Sequence, residues 1–248
     1  MTAWDLRVMT WNVRGLRDDP AALADAVRDL APDLLLLQES PQVLLPTARL
    51  RWLARRMGLR VLLGGRLARG LAILASPEAA GQLLRRGIVP VPQRITDANS
   101  VFPRGIAAVR LSVPGGGDLV VADVHLALDE AHRLVHVHRL MGLIAGSGAA
   151  VIVAGDLNER PEAAAWSELA TVLHDPGAAA GEPTFPARRP SARIDAVLTS
   201  EELHASVRVV RSTPSVSRER LAGATDHLPV LAQVTVPGRR AAAPSASR

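Results

Sequence analysis

The sequence predicts an α+β chain in which two sheets lie face to face with helices outside them. Three observations point there. Apolar strands alternate with capped helical segments from the first residues onward, and a Pro-Gly-Gly-Gly turn at Pro114–Gly117 joins two strands as an antiparallel hairpin. The last strands, IDAVLTS, ASVRVVRS and LPVLAQVTV, follow without the regular helix-by-helix alternation of a purely parallel sheet.

Taken in order, LRVMTWNV reads as an apolar strand and DDPAALADAVRDLAPD as a helix. Asp18 or Asp19 caps that helix, with Pro20 in its first turn. DLLLLQE is a second, fully buried strand. From about Leu44 to Met57 the spacing predicts a helix with Leu50, Leu53 and Met57 on one face and Arg49, Arg55 and Arg56 on the other. Short strands follow at Arg60–Leu63 and Leu71–Ala75, then the hairpin strands Gly105–Val113 and Asp118–Leu126. Asp129 caps a helix to about Ala145, VIVAGDLN is another buried strand, and Pro161 opens a helix to about Val172. At 248 residues with no interior linker, one domain is expected over residues 5–236, with residues 237–248 a disordered Arg/Ala/Pro/Ser tail.

Composition narrows the chemistry. With 48% hydrophobic and 21% charged residues the chain is of the globular class, and zero Cys removes disulfides, thiolate nucleophiles and Cys-bearing metal sites. All 29 basic residues are Arg. The net charge is +5, and three of those charges lie in the last twelve residues, so the remainder carries only 5 − 3 = +2. A global basic footprint is therefore weak, although seven Arg and no acid fall between Arg49 and Arg69. That stretch reads either as a track for a nucleic-acid backbone or as a solvated helix face. The N-terminus lacks a signal-peptide pattern, no apolar run reaches membrane-spanning length, and few surface apolar clusters are evident. The expectation is a cytoplasmic, monomeric protein without stable membrane association.

Polar residues interrupt the apolar strands at recurring places: Asn12 after VMTW, Glu39 after LLLLQ, His125 after VVADV, Asp156 and Asn158 after VIVAG. Each sits at a strand's C-terminal end, where rigid strands hold polar groups around a cleft. Asp195 and the Asp226-His227 pair add two more strand junctions. Carboxylates, amides and histidines without a thiol suit a hard cation such as Mg²⁺ or Mn²⁺.

In the order MTWNVRGL, LLLLQES, VADVHLAL, VIVAGDLNERP, RIDAVL and TDHLPV, these stretches resemble the endonuclease/exonuclease/phosphatase superfamily of metal-dependent phosphoesterases. The resemblance spans the chain. It implies a four-layer α/β/β/α sandwich of two mixed, largely antiparallel sheets, as in deoxyribonuclease I, and phosphoester hydrolysis by an activated water. It also implies roles: Glu39, Asn12 and Asp226 for the metal; Asp156 for positioning or deprotonating the water; Asn158 for steadying transition-state oxygens. By the same resemblance His227 donates to a phosphate oxygen, Asp195 orients it, and His125 binds phosphate or assists the leaving group. Arg104 reads as a phosphate clamp or a surface residue. The absence of tyrosine departs from the exonuclease III type and counts against abasic-site repair.

The expected function is thus a nuclease acting on DNA or RNA. A phosphatase or phosphodiesterase of inositol-phosphate or phospholipid head groups is the alternative, and a non-catalytic binding module on the same fold a third reading. His132 and His136 have zincin-like spacing, but Arg133 stands where a catalytic Glu would be needed, so they are expected to be solvated.

Overall fold

The computed structural model describes residues 3–91 and 104–238. The expected tail lies, from residue 239, outside the described residues. Strand β1 (Trp4–Asn12) leads into α1 (Pro20–Leu30), β2 (Leu34–Gln38), α2 (Pro46–Met57), β3 (Arg60–Leu63), β4 (Ala72–Ala75) and a short α3 (Pro77–Gly81). The chain then forms β5 (Leu83–Pro90), β6 (Gly105–Ser112), β7 (Asp118–His125), α4 (Glu130–Ala145) and β8 (Ala150–Asp156). It ends with α5 (Ala164–Leu169), β9 (Asp195–Thr199), β10 (His204–Val209), α6 (Arg218–Leu221) and β11 (Val230–Val236).

Two sheets result, ordered β10-β11-β1-β2-β4-β3 and β5-β6-β7-β8-β9. Strands β1 and β2, and β7 and β8, pair in parallel; every other pairing is antiparallel. Side-chain alternation explains the continuous apolar runs. Leu34 and Leu36 of β2 point into the core between the sheets, while Leu35 and Leu37 pack under α1 and α2. In β7, Leu119 and Val121 face the first core and Val120, Ala122 and Val124 face α4 and α5. Three apolar cores between four layers give the α/β/β/α sandwich.

Local chemistry sets the helices. The Asp19 carboxylate accepts from the amides of Ala21 and Ala22 at 3.1 and 2.9 Å, a cap worth about 1 kcal/mol. Helix α2 starts at Pro46, two residues later than the spacing suggests, because Leu44 and Leu45 take left-handed conformations (φ 52° and 60°). Helix α5 is shorter than expected, beginning at Ala164 after a turn at residues 161–163. Strand β5 was not legible: LLRRGIVP lacks alternation, and it forms an exposed edge guarded by Arg85, Arg86 and Pro90. The short α3 and α6 also carry too little periodicity to be read.

Helix α4 corrects another expectation. His136 is buried and His132 half-buried rather than solvated, and Arg133 is buried between them, because α4 packs against α5 as well as the sheet. Arg133 Nε donates to Glu159 Oε2 at 2.9 Å and Nη1 to the Ala127 carbonyl at 3.0 Å, so its charge is paired. Burial first, then Arg104 and His132, lowers the His136 pKa from 6.5 to about 4.

Between the sheets, at the end nearest the strand termini, lies a polar bridge. Gln38 Nε2 donates to Thr10 Oγ1 (2.9 Å) and Asp123 Oδ1 (2.6 Å), and the Ala72 amide donates to Asp123 Oδ2 (3.2 Å). Burial holds the Asp123 carboxyl well above the usual range, against the hydrogen bonds from Gln38 and Ala72.

Candidate active site

Topology converts scattered junctions into one rim. The parallel pairs end together, so Asn12 lies opposite Gln38, next to Glu39, and His125 opposite Asp156. Strands β9 and β11 run antiparallel to β8 and β1, so their beginnings arrive at the same edge. Asp156 faces Asp195 in register, and His227 enters just before β11. The two sheets thus bring their polar ends together across the core.

Asp156 is the focus. Its Oδ2 accepts from Asn12 Nδ2 at 3.0 Å and lies 3.4 Å from His125 Nε2 and 3.8 Å from His227 Nε2; its Oδ1 accepts from the Asn158 amide at 2.9 Å. His227 Nδ1 sits 2.9 and 3.1 Å from the two Asp195 oxygens, leaving Nε2 facing the centre. The chain itself fixes that ring. Trp11 Nε1 donates to the His227 carbonyl at 2.8 Å, Phe185 lies against the imidazole with ring centres 4.9 Å apart, and Thr184 Oγ1 accepts from the Asp195 amide at 3.3 Å.

Gly155 lets β8 lie close against β7 just before Asp156. It has φ 150°, and an added Cβ would overlap the Val124 carbonyl oxygen of the neighbouring strand. Glu39 and Asn158 hold left-handed conformations, φ 50° and 53°, as strained residues at functional sites often do.

Electrostatics separate the titrating groups. Burial and then the charge of Asp195 raise Asp156 to about 7, against His227 and the Asn12 and Asn158 hydrogen bonds. For His227 burial favours the neutral ring, but the charge and hydrogen bond of Asp195, then Asp156 and Asp226, outweigh it and raise the pKa to about 9. His125 moves the other way: burial, then Arg104, His227 and His136, hold it well below 6.5. The centre therefore pairs a cationic His227 with a neutral His125 at neutral pH.

Asn12 links this centre to Glu39, since Nδ2 also lies 3.2 Å from Glu39 Oε1. Asp226 is held by Arg14 Nε at 3.3 Å and Thr225 Oγ1 at 3.3 Å. Among the described residues, Asp156, Asp195 and His227 form the cluster whose ligand atoms all lie within 4.8 Å. Asn158 Nδ2 donates to the Leu126 carbonyl at 2.8 Å, which leaves its second amide hydrogen unused by that bond. Arg104 lines a cleft of about 390 Å³ with Glu39, His125, Arg17, Arg49 and Arg69. Residues 92–103, before Arg104, lie outside the described residues.

Sequence reading missed Arg14, Thr225, Thr184 and Phe185. Thr225 had a signal, its place directly before Asp226-His227; its hydroxyl also donates to the Asn12 carbonyl at 3.0 Å, tying β1 to the β11 entry.

The Endonuclease/Exonuclease/phosphatase family model matches residues 9–227. An endonuclease/exonuclease/phosphatase family protein from Bacteroides thetaiotaomicron superposes with TM-score 0.77 at 18% identity, covering 96% of this chain and 100% of that one. A mannosyl-6-phosphatase from the same organism gives 0.74 at 17%, covering 92% and 99%. TDP2 from C. elegans gives 0.64 at 21%, covering 94% and 76%. No curated protein matches the chain by sequence. The chain belongs to the endonuclease/exonuclease/phosphatase family and is a hydrolase of phosphoester bonds.

Proposed function

We propose that the protein hydrolyses a phosphoester by direct attack of water, with Asp156 as the base and His227 as the cationic donor to a non-bridging phosphate oxygen. The observation that carries this is the placement of His227 Nε2 3.8 Å from Asp156 Oδ2, with both groups raised, Asp156 to about 7 and His227 to about 9. Between those values the carboxylate accepts a proton while the imidazolium still donates.

In this reading Asp156 takes the proton of the water whose oxygen attacks phosphorus, and the bond to the leaving oxygen breaks. Asn12 Nδ2 and the Asn158 amide fix the carboxylate's direction. Asp195 keeps His227 protonated and oriented, and its Nε2–H meets the charge that grows on phosphate oxygen. Neutral His125 offers a hydrogen bond near the leaving group. Arg104 supplies a charge at the same cleft.

The donor set of hard oxygens and imidazole nitrogens, with no sulfur, fits Mg²⁺ or Mn²⁺. Glu39, with Asn12 and Asp226, would hold such an ion, whose chemistry there is to polarise the phosphoryl group and stabilise the leaving oxyanion.

For the substrate, the nuclease reading draws on the Arg49–Arg69 run. The headgroup reading gains support from the exposed Leu44 and Leu45 just before that run and Leu67 within it, for which a nucleic-acid backbone has no use. We therefore place a head-group phosphoester first and a nucleic acid second. Hydrolysis rates on inositol phosphates, phospholipid vesicles, plasmid DNA, single-stranded DNA and RNA, each in Mg²⁺, Mn²⁺ and EDTA, test the choice. Turnover confined to nucleic acid would overturn it.

A further inference from the structure

Beside the cleft, four large apolar side chains stand where solvent should disfavour them. Val43 is 57% exposed, Leu44 83%, Leu45 77% and Leu67 85%. They belong to two adjoining loops: a Cβ on Gly65 would meet Thr47 Oγ1, and one on Gly70 would meet Gln42 Nε2. Val43 itself lines the cleft that holds Glu39 and His125.

These side chains are held out rather than left out. Leu44 and Leu45 occupy left-handed backbone conformations, and Leu45 starts α2 at a position where Ser, Thr or Asp would normally cap. Neither the helix nor the core gains from that choice. The sequence expectation of few surface apolar clusters is not met here.

Charge identifies the occupant. Arg49 lies one helical turn from Leu45, its amide donating to the Leu45 carbonyl at 3.0 Å, and Arg66 adjoins Leu67. Arg17, Arg49, Arg69 and Arg104 surround the cleft, and no acid falls between residues 49 and 69. Two copies of such a face repel each other, which disfavours self-association. Bases bind to flat aromatic platforms, whereas the four rim tips are aliphatic and Trp52, the exposed aromatic of α2, already stacks under Arg56 at 5.1 Å. Aliphatic tips ringed by arginines gain most at the boundary between acyl chains and anionic head groups.

We propose that the rim formed by Val43, Leu44, Leu45 and Leu67 docks reversibly onto an anionic bilayer. The leucines enter the head-group boundary, the arginines meet lipid phosphates, and the cleft opens toward phosphoesters displayed there. No described helix is long and apolar enough to cross a membrane, so the contact is interfacial. The placement of the cleft rests on the function proposed above; the docking itself is measured without turnover.

The test is flotation of the full-length protein with phosphatidylcholine vesicles, with and without 30% phosphatidylglycerol, in EDTA at 0.1 M NaCl. Wild type should float with the anionic vesicles only. Binding should fall at least tenfold in Leu44→Ser/Leu45→Ser, several-fold in Leu67→Ser and strongly at 0.5 M NaCl. The variants should keep the wild-type thermal midpoint and its hydrolysis of soluble bis-p-nitrophenyl phosphate. Equal flotation of variants and wild type would overturn the proposal, as would no flotation. So would oligonucleotide binding without vesicle binding, or a dimer that the double variant dissociates. Hydrolysis without vesicle binding would sink the docking alone; salt-sensitive vesicle binding lost in the variants, without hydrolysis, would support the docking and sink the proposed activity.

Discussion

Asp195→Asn keeps the size of a buried side chain and removes the charge that sustains His227. In the wild type, burial works against the imidazolium, and the Asp195 charge and hydrogen bond do most to carry the pKa to about 9. Without them the ring returns to 6.5 or below, a change worth about 3 kcal/mol at 1.36 kcal/mol per pH unit. At pH 8 the protonated fraction then falls from about 0.9 to about 0.03, so activity drops about 30-fold; at pH 6 the same loss is under about twofold. The rising limb moves as well, because the Asp195 charge is the second cause, after burial, that raises Asp156 to about 7. Both limbs of kcat/KM for bis-p-nitrophenyl phosphate between pH 5.5 and 9.5 should therefore shift to lower pH. An NMR titration of His227 in EDTA gives the pKa directly. A loss of equal size at every pH, with limbs and ring pKa unmoved, would refute the electrostatic role and leave Asp195 a purely steric partner.

Three further outcomes follow from the same structure. Asp123 binds its proton more tightly folded than unfolded, so its ionisation costs stability as pH rises above the ordinary carboxylate range; Asp123→Asn should melt higher than wild type at pH 8 and near it at pH 5, and a lower midpoint at both would contradict this. His136 is the converse case: the unfolded chain protonates at 6.5 and the folded one at about 4, so stability falls as pH drops through that window, by about 3 kcal/mol in full. Urea midpoints measured from pH 7 to 4 should slope less in His136→Gln; parallel slopes would reject the assignment. Gly155→Ala should cost about 4 kcal/mol or more, or prevent folding, since its Cβ would strike the Val124 carbonyl; a near-wild-type urea midpoint would show that β7 and β8 can part there.

Much of this architecture is written in local chemistry. The caps at Asp19 and Asp129, the leucine run of β2 and the glycine turn between β6 and β7 are each decided within a few residues, and each lies where the sequence puts it. Edge strand β5 was invisible because LLRRGIVP does not alternate, whereas the edge strand β10 does and was legible. The burial of His136 and Arg133 depends on α5, a helix that α4 meets only in three dimensions. At the site, the strand-end residues were legible because six junctions repeat one pattern. Arg14 and Phe185 were not, since nothing local distinguishes an arginine two residues after Asn12 or a phenylalanine in a Pro-rich loop. The exposed leucines escaped for a related reason. Leu44 was read as the start of α2, and only the left-handed conformations of Leu44 and Leu45 place both before the helix and in solvent.

The central claim is that Asp156 and His227 act together on water and phosphate. It is tested most directly by bis-p-nitrophenyl phosphate hydrolysis in ¹⁸O-labelled water with wild type, Asp156→Ala, His227→Ala and the double variant, in Mg²⁺ and in EDTA. The account predicts one ¹⁸O in the phosphate product for wild type in Mg²⁺ and none of this turnover in EDTA. Each single variant should fall by about 10³-fold or more, and the double variant little further, since the pair works as a unit. Turnover that survives Asp156→Ala in a folded protein, or single-variant losses that multiply independently, would contradict it.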